Sequence, residues 1–318
     1  MSNKDNLFIL IGPTAIGKTA VSIELAKSLN GEIISADSMQ IYKYMDIGTA
    51  KITPEEMEGI PHHLIDIVYP DEEFTVADYK SQAEKIIADI NSRNKLPIVV
   101  GGTGLYVNSL VYDLNFTQVP PNEEIRERLE YLADKYGNEY IHKMLEKIDK
   151  MSFDRIHVMD RKRIIRAIEI YEVTGKPMSE QGKNFRKQTD KYNLVMVGLN
   201  MDREKLYEKI NLRVDKMIEE GLIEEVSKLL KLGYNKDLVS MQGIGYKEII
   251  WYLEGDISLE ESIELIKKAS RNYAKRQLTW FRRDNRIKWF YVDEYSNMAH
   301  LVKHIIDYSE KILRRGLN

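Results

Sequence analysis

A short apolar run, Leu7-Phe8-Ile9-Leu10-Ile11, leads straight into Gly12-Pro13-Thr14-Ala15-Ile16-Gly17-Lys18-Thr19, and behind that loop Val21, Leu25 and Leu29 recur every four residues. An uninterrupted run of that length reads as a strand buried on both faces. The fourfold recurrence reads as a helix laid against a sheet. Between them stands the GxxxxGK[ST] pattern. Strand, glycine-rich loop and helix in that order predict an α/β architecture with a P-loop. Glycines let the backbone wrap so that successive N–H groups converge on phosphate oxygens, and the helix adds the positive end of its dipole. Lys18 adds a full charge, and the Thr19 hydroxyl stands where this motif ligates Mg²⁺. The motif specifies a polyphosphate but not a nucleotide.

Further strands are predicted at Glu32–Ala36 (EIISA), in the segment from Pro61 (PHHLIDIV), at Leu96–Val100 (LPIVV) and at Leu194–Leu199 (LVMVGL), with a helix from Phe74 to Asn91. Strands alternating with helices predict a mainly parallel sheet. From Pro120 onward strand signals vanish, and charged helical segments such as NEEIRERLEYLADKYG take over. The Pro120-Pro121 pair marks the entry to this stretch and GKNFRKQTDK its exit. The chain therefore reads as a P-loop nucleoside-triphosphatase-like core over 1–119 and 190–318, with an all-helical insertion over 120–189. After residue 200 it is again mostly helical.

The 318 residues are 43% hydrophobic and 31% charged, as expected of a globular chain with an ample core. Net charge is −3, so any nucleic-acid surface must come from local clustering of Lys and Arg. The absence of cysteine excludes disulfides, a thiol nucleophile and Cys-ligated zinc. The opening MSNKDNLFILIGPT has too short an apolar run for a signal peptide or membrane span, and no other stretch approaches that length. The expectation is a cytoplasmic protein that makes no use of a membrane. Adjacent His62 and His63 point to opposite faces of a strand, which suits structural roles better than one shared metal ion.

A P-loop ATPase places a Mg²⁺-holding acid at the end of a second apolar strand. Here LPIVV ends instead in Gly101-Gly102-Thr103-Gly104, and the acid is Asp37, after EIISA. In open α/β sheets the carboxyl ends of neighbouring strands share one crevice, so Asp37 and Thr103 are expected to flank the P-loop. Taken alone, Asp37 fits a helix cap as well as a functional carboxylate, and Thr103 fits a turn.

Two basic segments stand out. In Asp160-Arg161-Lys162-Arg163-Ile164-Ile165-Arg166, Arg163 and Arg166 share a helix face, which by itself also suits a solvated surface. Residues 271–290 hold seven Lys or Arg and one Asp, net +6 against −3 for the whole chain. Tyr273, Trp280, Phe281, Trp289 and Phe290 are interleaved with them. The cations suit an RNA backbone, whereas the tryptophans suit a core better than a stacking platform.

Taken together, GPTAIGKT, DSMQIY followed by MDIGTAK, PHHLID, GGTGLY, DRKRIIRAIE, MQGIGYKE and RNYAKRQLTWFRR run from Gly12 to Arg283. In that order they resemble the blocks of the bacterial tRNA dimethylallyltransferases, also called tRNA isopentenyltransferases. The resemblance implies a P-loop core with a helical insertion, entered by prenyl diphosphate at one end and tRNA at the other. It implies transfer of a dimethylallyl group from dimethylallyl diphosphate to N6 of the adenosine just 3′ of the anticodon, in tRNAs reading codons that begin with U. Mg²⁺ is the implied cofactor, the tRNA anticodon stem-loop the implied partner, and a monomer the expected state.

Residue by residue, the resemblance implies that Gly12, Pro13, Thr14, Ala15, Ile16, Gly17, Lys18 and Thr19 hold the diphosphate. Asp37 bonds the adenine N6 and acts as general base, and Thr103 joins it and Lys18 at the catalytic centre. Ser38, Met39 and Gln40 meet the flipped nucleotide. Lys162, Arg163, Ile164, Ile165 and Arg166 form a tRNA-contact segment, joined by Arg126, while Arg213 touches either substrate. Eukaryotic members often carry a zinc finger; a chain without cysteine resembles the bacterial form. An adenylate isopentenyltransferase shares the core, but the long insertion and the basic C-terminal segment favour RNA. A small-molecule P-loop kinase would bind ATP in preference to dimethylallyl diphosphate. Intact Lys18, Thr19, Asp37 and Thr103 argue against a non-enzymatic RNA-binding module.

Overall fold

Leu7 to Ile11 are fully buried because β1 (Asp5–Ile11) lies inside a sheet with a parallel partner on each side. The computed structural model describes residues 4–114, 119–181 and 187–313. From β1 the chain passes through the glycine loop into α1 (Lys18–Ser28), then β2 (Gly31–Ala36), the short β3 (His62–His63), α2 (Val76–Ser92), β4 (Leu96–Gly101) and α3 (Gly104–Val111). A helical stretch follows, comprising α4 (Glu123–Tyr136), α5 (Asn138–Ile148), α6 (Lys150–Arg155), α7 (Arg161–Thr174) and α8 (Met178–Gln181). The chain returns in β5 (Tyr192–Asn200) and continues through α9 (Arg203–Glu219), α10 (Leu222–Lys231), α11 (Tyr246–Glu254), α12 (Leu259–Phe281), β6 (Lys288–Tyr291) and α13 (Met298–Leu313).

Among the described residues the strands form one sheet in the order β3-β2-β4-β1-β5-β6, and every pairing is parallel. Phe8 and Leu10 join a core with Val21 and Leu25 of α1 and Leu301 and Ile305 of α13. Leu7, Ile9 and Ile11 point to the other face by the alternation of a strand. The order sets the ends of β2, β4 and β1 side by side, at Ala36, Gly101 and Ile11.

Chain contacts define two units, Met1–Val111 with Thr189–Asn318, and Tyr112–Gln188. The second unit has its own core, built from Leu129 and Ala133 of α4, Ile141 and Leu145 of α5, and Ile164, Ile165 and Ile168 of α7. It begins before the expected boundary at Pro120, because Tyr112 bridges Gln188 and the Asp113 N–H donates to the Lys187 carbonyl at 2.8 Å, closing the unit at its neck. Gly182–Arg186 of the expected exit stretch lie outside the described residues.

One strand expectation needs correction. PHHLIDIV supplies only His62–His63, because Leu64 and Asp66 adopt left-handed backbone (φ 61° and 54°), which ends a strand. The stretch after residue 200 is mostly helical, as expected, and adds one short strand, Lys288–Tyr291, as β6 on the edge beside β5. Four residues rich in aromatics and flanked by charges carry too weak a period to separate strand from core helix.

Candidate active site

The P-loop wraps where the sequence places it, and its glycines have distinct reasons. A Cβ on Gly12 would come 2.8 Å from the Leu199 carbonyl oxygen of β5, so the loop leaves the sheet only if that position is bare. Gly17 caps α1 in left-handed backbone at φ 95°. Lys18 folds back so that Nζ donates to the carbonyls of Gly12 (3.0 Å) and Pro13 (2.8 Å). Burial, then the nearby charge of Arg213, lower the Lys18 pKa to about 7, with Asp37 opposing.

The ends of β2 and β4 interlock beside this loop. A Cβ on Gly101 would lie 2.2 Å from the Ala36 carbonyl oxygen, so a glycine is needed for the two ends to meet. Thr103 donates its N–H to that carbonyl at 3.1 Å, and its Oγ1 accepts the Ser38 N–H at 3.1 Å and donates to Ser38 Oγ at 3.3 Å. Asp37 caps the turn through Oδ1, which accepts the Met39 N–H at 2.9 Å, and it also lines the cavity. The cap and a place on the cavity are therefore compatible.

Helix α12 closes the site from a distant part of the chain. Gln277, 5% exposed, bridges the loops at the ends of β1 and β4: Oε1 accepts the Thr14 N–H at 2.9 Å and Nε2 donates to the Gly102 carbonyl at 3.1 Å. One turn earlier, Tyr273 lines the cavity; burial, then the charge of Asp37, push its phenol up to about 12 against the opposing pull of Thr103, Arg276 and Gln277, which keeps it neutral. Helix α9 adds Lys209 and Arg213 to the facing wall, where Arg213 donates to the Thr49 carbonyl at 3.4 Å. Burial lowers the Arg213 pKa against the pull of Asp37.

The result is a cavity of about 390 Å³ lined by the loop Thr14–Thr19, Lys209, Arg213 and a single carboxylate, Asp37. Three cations and a cradle of backbone N–H groups around one acid suit a polyphosphate with a proton acceptor at its edge. The Thr19 hydroxyl, joined by phosphate oxygens, fits a magnesium ion and leaves the Asp37 carboxylate free. Among the described residues no cluster of three His, Asp or Glu forms a protein cage for a metal.

The family model described as IPP transferase matches residues 40–284. The chain belongs to that family. The tRNA dimethylallyltransferases of Thermoanaerobacter sp. (strain X514) and Caldanaerobacter subterraneus subsp. tengcongensis are 55% and 54% identical to it over 304 residues, covering 95% of this chain and 96% of theirs. The crystal structure of the full-length tRNA isopentenylpyrophosphate transferase from Bacillus halodurans is similar at 46% identity and a TM-score of 0.73, covering 99% of this chain and 100% of that one. A eukaryotic dimethylallyltransferase acting on tRNA is similar at 30% identity and a TM-score of 0.85, covering 98% and 80%. The family match begins after the P-loop and Asp37, at residue 40, whereas the relatives align over nearly the whole chain.

Within this chain the expected site residues fall into two groups. Gly12–Thr19, Asp37, Ser38, Gln40, Thr103 and Arg213 gather around one cavity or its hydrogen-bonded rim. Gln40 donates Nε2 to the carbonyls of Thr49 and Ala50 (3.3 Å each), and Met39 packs at the edge of the neighbouring core under α11. In the helical unit, Ile164 and Ile165 are 0% and 4% exposed. That corrects their place in a contact segment, since their side chains are spent on the unit's core. Arg126 and Arg166 both pair with the buried carboxylate of Glu169. Lys162 and Arg163 remain as exposed cations, Arg163 3.3 Å from Asp160.

His63 bonds Glu32 at 2.9 Å and His62 bonds the Ile60 carbonyl at 2.8 Å, the structural roles expected of them. Residues missed from sequence were Thr49, Lys209, Tyr273 and Gln277. Tyr273 and Gln277 lie in a block singled out for its basic and aromatic content, and their i, i+4 spacing was the available sign that both face one surface.

Proposed function

We propose that the chain transfers the dimethylallyl group of dimethylallyl diphosphate to N6 of the adenosine just 3′ of the anticodon, in tRNAs that read codons beginning with U, and releases diphosphate. One observation carries the reading: a P-loop cavity walled by Lys18, Lys209 and Arg213 contains one carboxylate, Asp37, and no acid at the end of β4. A P-loop kinase requires that acid for its metal. A prenyl transfer requires an anion cradle with a base beside it.

The chain's own groups then divide the work. Backbone N–H groups of the loop, Lys18 and Arg213 hold the diphosphate and are aimed where negative charge grows as the C1–O bond breaks. Magnesium, held by Thr19 and the phosphates, supplies further charge stabilisation when bound. As N6 bonds to C1, the bonding pair of C1–O leaves with diphosphate and the N6 proton passes to Asp37. An ordinary carboxylate suffices, because the amine becomes acidic only as the new bond forms. Thr103 and Tyr273 present hydroxyls beside that centre, and Ser38, Met39 and Gln40 receive the flipped nucleotide. Lys162 and Arg163, with the outer edges of Arg126 and Arg166, meet the tRNA anticodon stem-loop. The enzyme works as a monomer in the cytoplasm, where tRNA is processed. No helix among the described residues is long and apolar enough to cross a membrane.

Incubation with labelled dimethylallyl diphosphate and unmodified tRNA is expected to yield prenylated adenosine. Asp37→Ala should lose at least about 100-fold in turnover with tRNA affinity retained. Stoichiometric ATP consumption without prenylated RNA would falsify the reading, and prenylation of free AMP in preference to tRNA would move it to the adenylate isopentenyltransferases.

A further inference from the structure

The carboxylate of Glu225, on α10, is engaged on both oxygens by one loop. Its Oε2 accepts the N–H groups of Asp46 (2.9 Å) and Ile47 (2.8 Å). Its Oε1 accepts the Gly48 N–H (3.1 Å) and the hydroxyl of Tyr246 on α11 (2.7 Å). Three successive backbone N–H groups converging on one anion form a nest, here filled by an acid of the protein itself. Gly48 approaches the Tyr246 ring too closely for a side chain, since a Cβ there would come 2.5 Å from the ring.

The next two residues of the loop enter the site. Thr49 and Ala50 line the phosphate cavity, and Glu225 does not. The Thr49 carbonyl takes the Arg213 guanidinium, and with the Ala50 carbonyl it takes the Gln40 amide. A long cation stripped of water keeps one orientation only if its acceptor is itself immobile. The 46–50 segment belongs to no helix or strand; it closes a turn through the Ala50 N–H to the Ile47 carbonyl (2.9 Å), the Lys51 N–H to the Asp46 carbonyl (2.9 Å) and the Thr49 hydroxyl to the Met45 carbonyl (2.7 Å), and Glu225 ties that turn to α10 through the N–H groups the turn leaves over.

We infer that Glu225 is a positioning residue for the phosphate site: by holding the N–H groups of Asp46, Ile47 and Gly48 it fixes the Thr49 carbonyl, and through it the places of Arg213 and Gln40. The inference rests on the cavity taking a diphosphate.

The sign of the effect separates positioning from electrostatics. Glu225→Gln removes a negative charge, which by Coulomb's law alone strengthens binding of an anion. Positioning predicts the opposite, because the amide turns its own donors against backbone N–H donors and frees the loop. Calorimetric titration of the full chain with inorganic pyrophosphate should show affinity weakened about tenfold in E225Q, and weakened also in E225D, which keeps the charge but shortens the reach. In an Arg213→Ala background the same E225Q change should cost much less, because the residue it positions is gone. Unchanged or tighter binding by E225Q, or an equal loss with and without Arg213, overturns the inference. Should E225Q fail to fold, Tyr246→Phe removes one of the four bonds while leaving the charge, and must weaken binding in the same direction. Failure of the wild-type chain to bind pyrophosphate refutes the diphosphate site itself. Wild-type binding that E225Q leaves alone refutes only the role of Glu225.

Discussion

Lys18 donates to the carbonyls of its own loop with a pKa lowered to about 7, by burial first and Arg213 second. Because that value lies below the ordinary lysine range, the unfolded chain binds more protons from about pH 7 to 10.5, and the cost of burying this cation eases as pH rises through that window. A diphosphate set against Lys18 adds negative charge and raises its pKa again. Calorimetry with pyrophosphate at pH 8, in buffers of differing ionisation heat, should therefore show uptake approaching one proton, and Lys18→Met should abolish it. Asp37 was readable as a cap or as a site carboxylate; it caps the turn at Met39 and it lines the cavity. Its capping oxygen points to Met39, a local contact visible in the sequence, while its place on the cavity depends on two other strands.

Helix α12 shows how one element serves two surfaces. Ser258 and Glu261 form a capping box at its start, and its inward positions Tyr273, Ala274, Gln277 and Phe281 follow helical spacing. The outward positions Lys275 and Arg276 are exposed, as are Arg282 and Arg283 just past its end. Gln277→Leu should cost about 1–3 kcal/mol in stability, since it strands the Thr14 N–H and the Gly102 carbonyl. Denaturant unfolding would read that loss, and pyrophosphate affinity should fall with it. In the helical unit the element to test is α7. Burial raises the pKa of Glu169, but the Asn122 N–H, Arg166 and Arg126 outweigh it and leave the carboxyl below its usual value. Its contribution is thus present above the ordinary glutamate range and is lost as pH falls through the lowered one. Glu169→Ala should destabilise the unit by about 2–4 kcal/mol, seen as early proteolysis within Tyr112–Gln188. The helical face of α7 was legible, but that Arg166 turns inward to a buried acid was not, because charge alone does not distinguish a buried partner from solvent.

Across the whole molecule the charge is uneven, −3 in total against +6 over residues 271–290. Binding of tRNA should therefore fall steeply with salt, and Arg282→Ser with Arg283→Ser should reduce the slope of log affinity against log salt by about 2 while leaving pyrophosphate binding unchanged. A filter-binding series from low to moderate salt measures both slopes, and a slope that does not move would remove this face from the RNA contact. The P-loop, the strands that precede it and follow it, the α/β class and the helical insertion were all present in local patterns. Loop wrapping, strand burial and helix period are set by residues within a few positions of one another, so a linear reading reaches them. The position of Gln277 against Thr14, 263 residues away in sequence, was not reachable in that way. Nor were the hold of Glu225 on Asp46–Gly48, the burial of Ile164 and Ile165, and the edge strand β6. These depend on which surfaces meet once the sheet has closed, and the same side chain makes a latch, a core contact or a solvated charge according to what the fold brings opposite it.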